Sequence, residues 1–168
     1  KSETITEAHT KESAMINTDV IVEAYNMIGC QAFSPGSKDF ALGLNYLKEL
    51  EDKSKFPYIS CNIYNSNAER VFEPYLVLDT LDMNINIIGA TSTFSNDAIT
   101  VSDPVKELEL LVPILKSNPN DFVLLLFNAS DTDMSRLQNL DLDIDLIIRS
   151  KKKTRSNDGG GKNIPVYN

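Results

Sequence analysis

The sequence predicts an α/β protein built on mixed sheets. Three observations carry this. Amphipathic helical stretches alternate with short apolar strands along the 168 residues. Two β-rich runs in the middle are close enough to pair as a hairpin. Apolar residues make up 42% and charged residues 24%, which is ordinary globular usage and excludes wholesale disorder. Repeated alternation of the two element types implies largely parallel strands with helices packed outside, and the hairpin adds antiparallel pairing.

Residues 1–17 are polar, with Thr and Glu prominent, and read as a loop or weak helix that includes His9. Thr18-Asp19 is expected to cap a helix from Val20 to Ile28, with Gly29 as its stop. Cys30–Ser34 reads as a short strand, and Pro35-Gly36 as a turn. A second helix is expected from about Asp39 to Asp52, with Leu42, Tyr46, Leu47 and Leu50 as its apolar stripe. Phe56–Ile63 is a predicted strand, and Asn65–Arg70 a polar turn. Pro74–Leu81 and Asn84–Gly89 are the predicted hairpin. Thr91–Thr100 is a Ser/Thr/Asn-rich loop.

Asp103-Pro104 is a helix start, with Asp as cap and Pro in the first turn. Its stripe is Val105, Leu108, Leu111, Val112 and Leu115. Phe122–Phe127 is a continuous apolar run, as for a strand covered on both faces. Asp131–Leu137 reads as a short helix and Ile144–Ile148 as a buried strand. Residues 149–163 form a basic, Gly-rich loop before a strand-like Ile164-Pro165-Val166. The whole is expected to be one domain, incomplete at both ends.

Charge narrows the partners. Sixteen Lys and Arg against 24 Asp and Glu give a net charge of −8, which argues against general nucleic-acid binding. Six cations and one acid fall after residue 148, so the last 20 residues carry +5 and the body −13. An acidic body with a local basic loop favours a specific anionic partner. No apolar run reaches the ~18 residues of a membrane span. Two Cys, Cys30 and Cys61, cannot make a disulfide scaffold or a four-thiolate zinc site, and buried free thiols are the expectation. No C-x-x-C-H occurs, so the chain has no covalent haem attachment. Asp141, Asp143 and Asp145 lack the Gly turn and distal Glu of a calcium loop, and read as the wet side of a strand edge. Gly159–Gly161 lacks the Lys-Ser/Thr end of a phosphate loop. Asn128-Ala129-Ser130 fits the glycosylation pattern, but it follows a buried strand.

Several motifs, in order, resemble one family. Val22-Glu23-Ala24-Tyr25-Asn26-Met27-Ile28-Gly29 matches a helix ending in hNxhG. Phe40-Ala41-Leu42-Gly43-Leu44 matches FDFGL, and Lys55–Ile63 matches KFPxLSANI. Phe72-Glu73-Pro74-Tyr75 matches FKPY, and Ile87–Thr91 matches VIGLTT. Together they resemble the metal-dependent phosphoesterase domain of the 5′-nucleotidase and UDP-sugar hydrolase family, in the calcineurin-like superfamily. The resemblance runs from about Val20 to Lys153. It implies a four-layer α-β-β-α sandwich, a two-metal site at the strand ends, and an extracytoplasmic location.

The same resemblance marks where the site departs from the family. Its G-N-H-E-F stretch, which supplies a ligand Asn and a catalytic His, is here Gly36-Ser37-Lys38-Asp39-Phe40. Its strand-end S-H is Phe127-Asn128. Its G-G-H-S-H/Q is Arg149-Ser150-Lys151-Lys152-Lys153. A protonated Lys has donors and no lone pair, so it is no metal ligand. Lys38, Lys151 and Lys153 would also repel dications.

The expectation is a degenerate site at Ser37, Lys38, Asn128, Lys151 and Lys153, with no catalytic residue and no metal pair. Lys38 and Lys151, Lys152 and Lys153 are expected to converge on one pocket, where their charge would bind a small anion or nucleotide. The chain then reads as a non-catalytic binding or scaffold domain of a larger protein or complex. With its Gly36-Ser37-Lys38-Asp39 stretch the chain also resembles the nucleotidase-like domains that accompany bacterial multihaem cytochromes, and that resemblance alone implies a cytochrome association. The competing reading is a phosphoester hydrolase with an atypical site, which would need Asn128, Asp39 and acidic residues N-terminal to this sequence to hold at least one divalent metal.

Overall fold

The computed structural model describes residues 8–150, 166 and 167. Its helices are α1 (Ala8–Ile28), α2 (Leu44–Lys53), α3 (Pro104–Leu115) and α4 (Asp131–Gln138). Its strands are β1 (Ile63–Tyr64), β2 (Tyr75–Asp79), β3 (Asn84–Thr91), β4 (Thr100–Val101), β5 (Phe122–Asn128), β6 (Leu146–Arg149) and β7 (Val166–Tyr167). The main sheet has five strands in the order β2-β3-β5-β6-β7. β2 and β3 are the antiparallel hairpin, and every other pair in that sheet is parallel. The mixed α/β architecture is therefore as the sequence predicts.

The first helix is longer than expected. It starts by Ala8 and takes in His9, where a loop was predicted. Residues 8–17 contain no Gly or Pro, and their Ala, Lys, Glu and Met are good helix formers. Thr18 does not cap. Its hydroxyl folds back within bonding distance of the Ala14 and Met15 carbonyls, at 2.8 and 2.9 Å, and meets the Tyr46 hydroxyl at 2.7 Å. Gly29 does end the helix, at φ 77.

The second helix is shorter than expected and begins at Leu44, not Asp39. Gly43 breaks it at φ 90, a conformation open to Gly at no steric cost. Upstream, the Asp39 carboxylate accepts the Gly36 N–H at 2.7 Å and closes a separate turn. The predicted strands at Cys30–Ser34 and Phe56–Ile63 are also corrected. They touch through single bridges, Phe33 to Tyr58 and Ile59 to Glu73, and only Ile63–Tyr64 forms a ladder, with β4. Here a side chain does the work of a strand. The buried Asn62 amide donates to the Thr91 and Ser102 carbonyls at 2.7 and 2.9 Å and accepts the Thr91 N–H at 3.0 Å.

The C-terminal half follows the prediction more closely. Asp103 caps α3 by accepting the Val105 N–H at 3.0 Å. Val105, Leu108, Val112 and Leu115 are buried, with Leu111 packed beside them. They cover one face of the sheet together with Met134 and Leu137 of α4. β5, however, is not covered on both faces. Val123, Leu125 and Phe127 are buried, while Phe122, Leu124, Leu126 and Asn128 are partly open. Asp141 and Asp143 are exposed but precede β6, so they edge no strand. Asp145 is half-buried and accepts from Lys116 Nζ at 2.6 Å and from the Val123 N–H at 2.7 Å.

A second apolar cluster sits under α1 and α2, around Tyr46, Leu47, Phe56, Tyr58 and Phe72. Gly89 lets the chain between the two clusters lie flush on β3. A Cβ there would stand 2.1 Å from the Ile59 carbonyl oxygen. Both cysteines are free, Cys61 buried and Cys30 half-buried. Burial pushes the Cys61 thiol up to about 12, so it stays protonated at neutral pH.

Candidate functional site

Parallel strands end on one side of a sheet, and ligands of open α/β sheets bind in the crevice there. β3 ends at Thr91 and β5 at Asn128, side by side in register. A polar cleft of about 490 Å³ opens over these two ends. The Gly36–Asp39 turn forms one wall, Thr91–Phe94 a second, and Asn128–Ser130 with Ser150 the rest.

The structure thus gathers Ser37, Lys38, Asn128 and Ser150. Lys151, Lys152 and Lys153 follow Ser150 in the chain but lie outside the described residues. Arg149 is not in the cleft. Its side chain is buried on the helix-covered face, donating to the Ala129 carbonyl at 3.1 Å and to Asp131 at 2.7 Å.

Asn128 is held firmly. Its amide donates to the Ser34 carbonyl at 2.9 Å. Gly36 lies against it so closely that a Cβ would come within 2.8 Å of its amide carbon. Thus the Gly of the turn is required by the Asn at the strand end. Lys38 is exposed at the rim and makes no ion pair among the described residues. Asp39 beside it spends one oxygen on the Gly36 N–H. Desolvation pushes its carboxyl above the usual range, against the lowering effect of that bond.

The reading of the sequence missed the opposite wall. Ser92 donates to Asp133 at 2.5 Å, and its oxygen accepts the Ser130 N–H at 2.8 Å. Ser130 Oγ caps α4 by accepting the Asp133 N–H at 3.1 Å. Asp133 also takes Arg136 at 3.0 Å. The signal was present: Thr91-Ser92-Thr93 follows an apolar strand directly, where a parallel sheet places its ligand loops. This closed network spends the Asp133 charge, so among the described residues the charged side chains that line the cleft without an ion pair are Lys38 and Asp39.

A two-metal hydrolase needs several carboxylate or imidazole ligands around two ions about 3.5–4 Å apart. Among the described residues, no group of three or more His, Cys, Asp or Glu side chains gathers to hold a metal. Among the described residues, the cleft lining offers one amide oxygen, hydroxyls, the single carboxylate of Asp39 and the ammonium of Lys38. These donors do not fit a metal pair, and no step is derived through one.

Comparison with known proteins follows from this geometry. No family model matches the chain. Among solved structures, the calcineurin-like phosphoesterase YfkN from Bacillus subtilis superimposes with a TM-score of 0.69 at 17% identity, over 82% of this chain and 50% of that one. A 5′-nucleotidase precursor from Thermus thermophilus gives 0.67 at 21% identity, over 82% and 29%. The chain has the calcineurin-like phosphoesterase fold. Its sequence relatives include proteins named UshA and proteins named 5′-nucleotidase. Protein UshA of Salmonella pullorum is 32% identical over 94 residues, 55% of this chain and 16% of the relative. A 5′-nucleotidase of Vibrio vulnificus is 28% identical over 114 residues, 62% and 21%. The chain therefore matches only a small part of these relatives' length. The chain has the phosphoesterase fold, with its cleft at the strand ends of that fold, and over part of its length it is similar in sequence to these relatives.

Proposed function

We propose that this nucleotidase-like domain binds a small anion in the cleft and does not hydrolyse phosphoesters. One observation carries the reading. Lys38, without an ion-pair partner among the described residues, stands at the cleft in the turn where the family resemblance puts an imidazole. A fixed ammonium can take over the charge role of a metal toward a phosphate or carboxylate, but it cannot activate a water as a metal does. Lys151–Lys153, joined to the cleft through Ser150, extend the same cationic chemistry in sequence. The domain is proposed to lie outside the cytoplasm by family analogy. It is further proposed to work with more polypeptide, its own or a partner's, as in cytochrome-associated relatives. The partly uncovered apolar face of the main sheet supports that last point. No helix among the described residues is long and apolar enough to cross a membrane.

The relatives named 5′-nucleotidase favour a second reading: a hydrolase whose metal is held in an unusual way, with Asn128 Oδ1 as one ligand. One preparation separates the two. Protein soaked in Mn²⁺ and desalted is expected to retain no metal and to leave p-nitrophenyl phosphate intact. It is expected to bind inorganic phosphate or AMP, and Lys38→Ala is expected to weaken that binding about tenfold, or ~1.4 kcal/mol. Close to two metals per chain, with turnover that falls in Asn128→Ala, would establish the second reading instead.

A further inference from the structure

A separate cavity of about 330 Å³ lies between α1, α2 and the turn that carries Lys38. Its wall is aromatic and aliphatic, with Tyr25, Phe33, Tyr46, Phe56, Tyr58 and Leu47 all lining it. The polar atoms nearest its wall are already matched. The Tyr46 hydroxyl meets Thr18 at 2.7 Å and the Met15 carbonyl at 3.2 Å. Tyr58 reaches Ser54 at 3.5 Å. Lys38 and Asp39 line it too; Lys38 is exposed, while the Asp39 carboxyl, on a residue exposed overall, is partly desolvated and is held by the Gly36 N–H.

The space opens to solvent beside Ile21 and Tyr25, which are 49% and 38% exposed, so an apolar occupant gains by taking its own surface and that of the wall out of water. Size and chemistry define the occupant. A dry apolar cavity of about 150 Å³ accepts benzene. This one is about twice that, and its ring-lined wall favours a flat π-system by edge and face contacts. We propose that this cavity is a binding site for a small planar aromatic molecule of two fused rings, the class of indole and naphthalene. The site is distinct from the polar cleft but shares the Lys38-Asp39 turn as a wall.

The chain has no Trp, so the emission of added indole can be read against tyrosine alone. Titration of the whole chain with indole is expected to give a saturable blue shift. Ala14→Phe, which fills the cavity from α1, is expected to weaken binding at least tenfold. Ala41→Phe does the same from the opposite wall and serves if the first variant fails to fold. Leu124→Asn, on the open face of the main sheet, is expected to leave binding unchanged. The proposal is overturned if no shift appears up to the solubility limit of indole, if the shift survives a folded filling variant, or if Leu124→Asn abolishes it. Phosphate binding at the cleft is read separately, so failure here leaves the anion reading standing.

Discussion

The two faces of the five-stranded sheet are built from similar residues and treated differently. On one, Ile88, Val123, Leu125, Phe127 and Ile147 disappear under α3 and α4. On the other, Leu124, Leu126 and Leu146 are only half-buried, Ile148 is 44% exposed and Tyr167 67%. β5 alternates between the two faces residue by residue. A strand composed as if buried twice, Phe-Val-Leu-Leu-Leu-Phe, is here buried once. The polar groups follow the same division. On the covered side Arg149, Asn86 and Asp121 all find partners. On the open side Ser34 Oγ is buried, beside Leu126 and Ile148, with no hydrogen bond among the described residues. The covered face is a finished core. The open face has the sequence of a core without the packing of one.

The largest expected effect tests this difference directly. Leu125→Ala should destabilise by about 2–5 kcal/mol, because it removes a fully buried side chain from a packed layer. Leu124→Ala, one residue away and on the open side, should cost less than about half as much, since less area leaves contact with protein. Urea unfolding of the two variants gives both numbers. Equal losses would mean that the open side is packed as tightly as the covered one.

Acid should loosen the covered side selectively. The α3 cap Asp103 is held below the usual carboxylate range, mainly by its bond to Arg136. Asp121, at the start of β5, is held low mainly by the Asn118 N–H. A carboxylate whose folded pKa is depressed stabilises the fold above its unfolded value, about 3.9, and loses that contribution as pH falls through the folded value. Stability set by these two groups should therefore be level above about pH 4 and fall below it. Asp103→Asn should flatten the fall in a pH series of melting temperatures. A fall of unchanged steepness would assign it to other groups.

These contrasts also show what was legible in the sequence. The hairpin and α3 with its Asp103 cap could be read because local pattern and final environment agree, whereas β5 could be read as a strand but not as one buried on a single face. The start of α1 could not. Thr18 looks like a cap by residue type, but its hydroxyl is claimed by the preceding turn and by Tyr46, 28 residues away. The strands around Phe33 and Tyr58 could not be read correctly either, because their backbone pairing is confined to one isolated bridge, with the Phe33 N–H donating to the Pro57 carbonyl and the Ile59 N–H to the Phe33 carbonyl. At the cleft, the family resemblance put Ser37, Lys38 and Asn128 at one site and they line one cleft, while the expected convergence of Lys38 with Lys151, Lys152 and Lys153 lies outside the described residues. The Ser92–Asp133–Ser130 network was not legible, since it joins residues 38 to 41 apart in the sequence.

The smallest expected effect is also the sharpest test of the open face. Ile148 is a β-branched residue in mid-strand, and by composition alone its replacement should hurt. Its exposure says otherwise. Ile148→Thr keeps the branch at Cβ and the strand preference and removes only apolar surface that water already reaches. The expected cost is within about 0.5 kcal/mol. The same change should reduce the binding of an apolar dye such as anilinonaphthalene sulfonate, while Ile147→Thr, on the covered face at 0% exposure, should lower stability by over about 1 kcal/mol. If Ile148→Thr proved as costly as Ile147→Thr in the isolated chain, something in the chain must cover Ile148. The two faces of the sheet would then be alike in packing as well as in sequence.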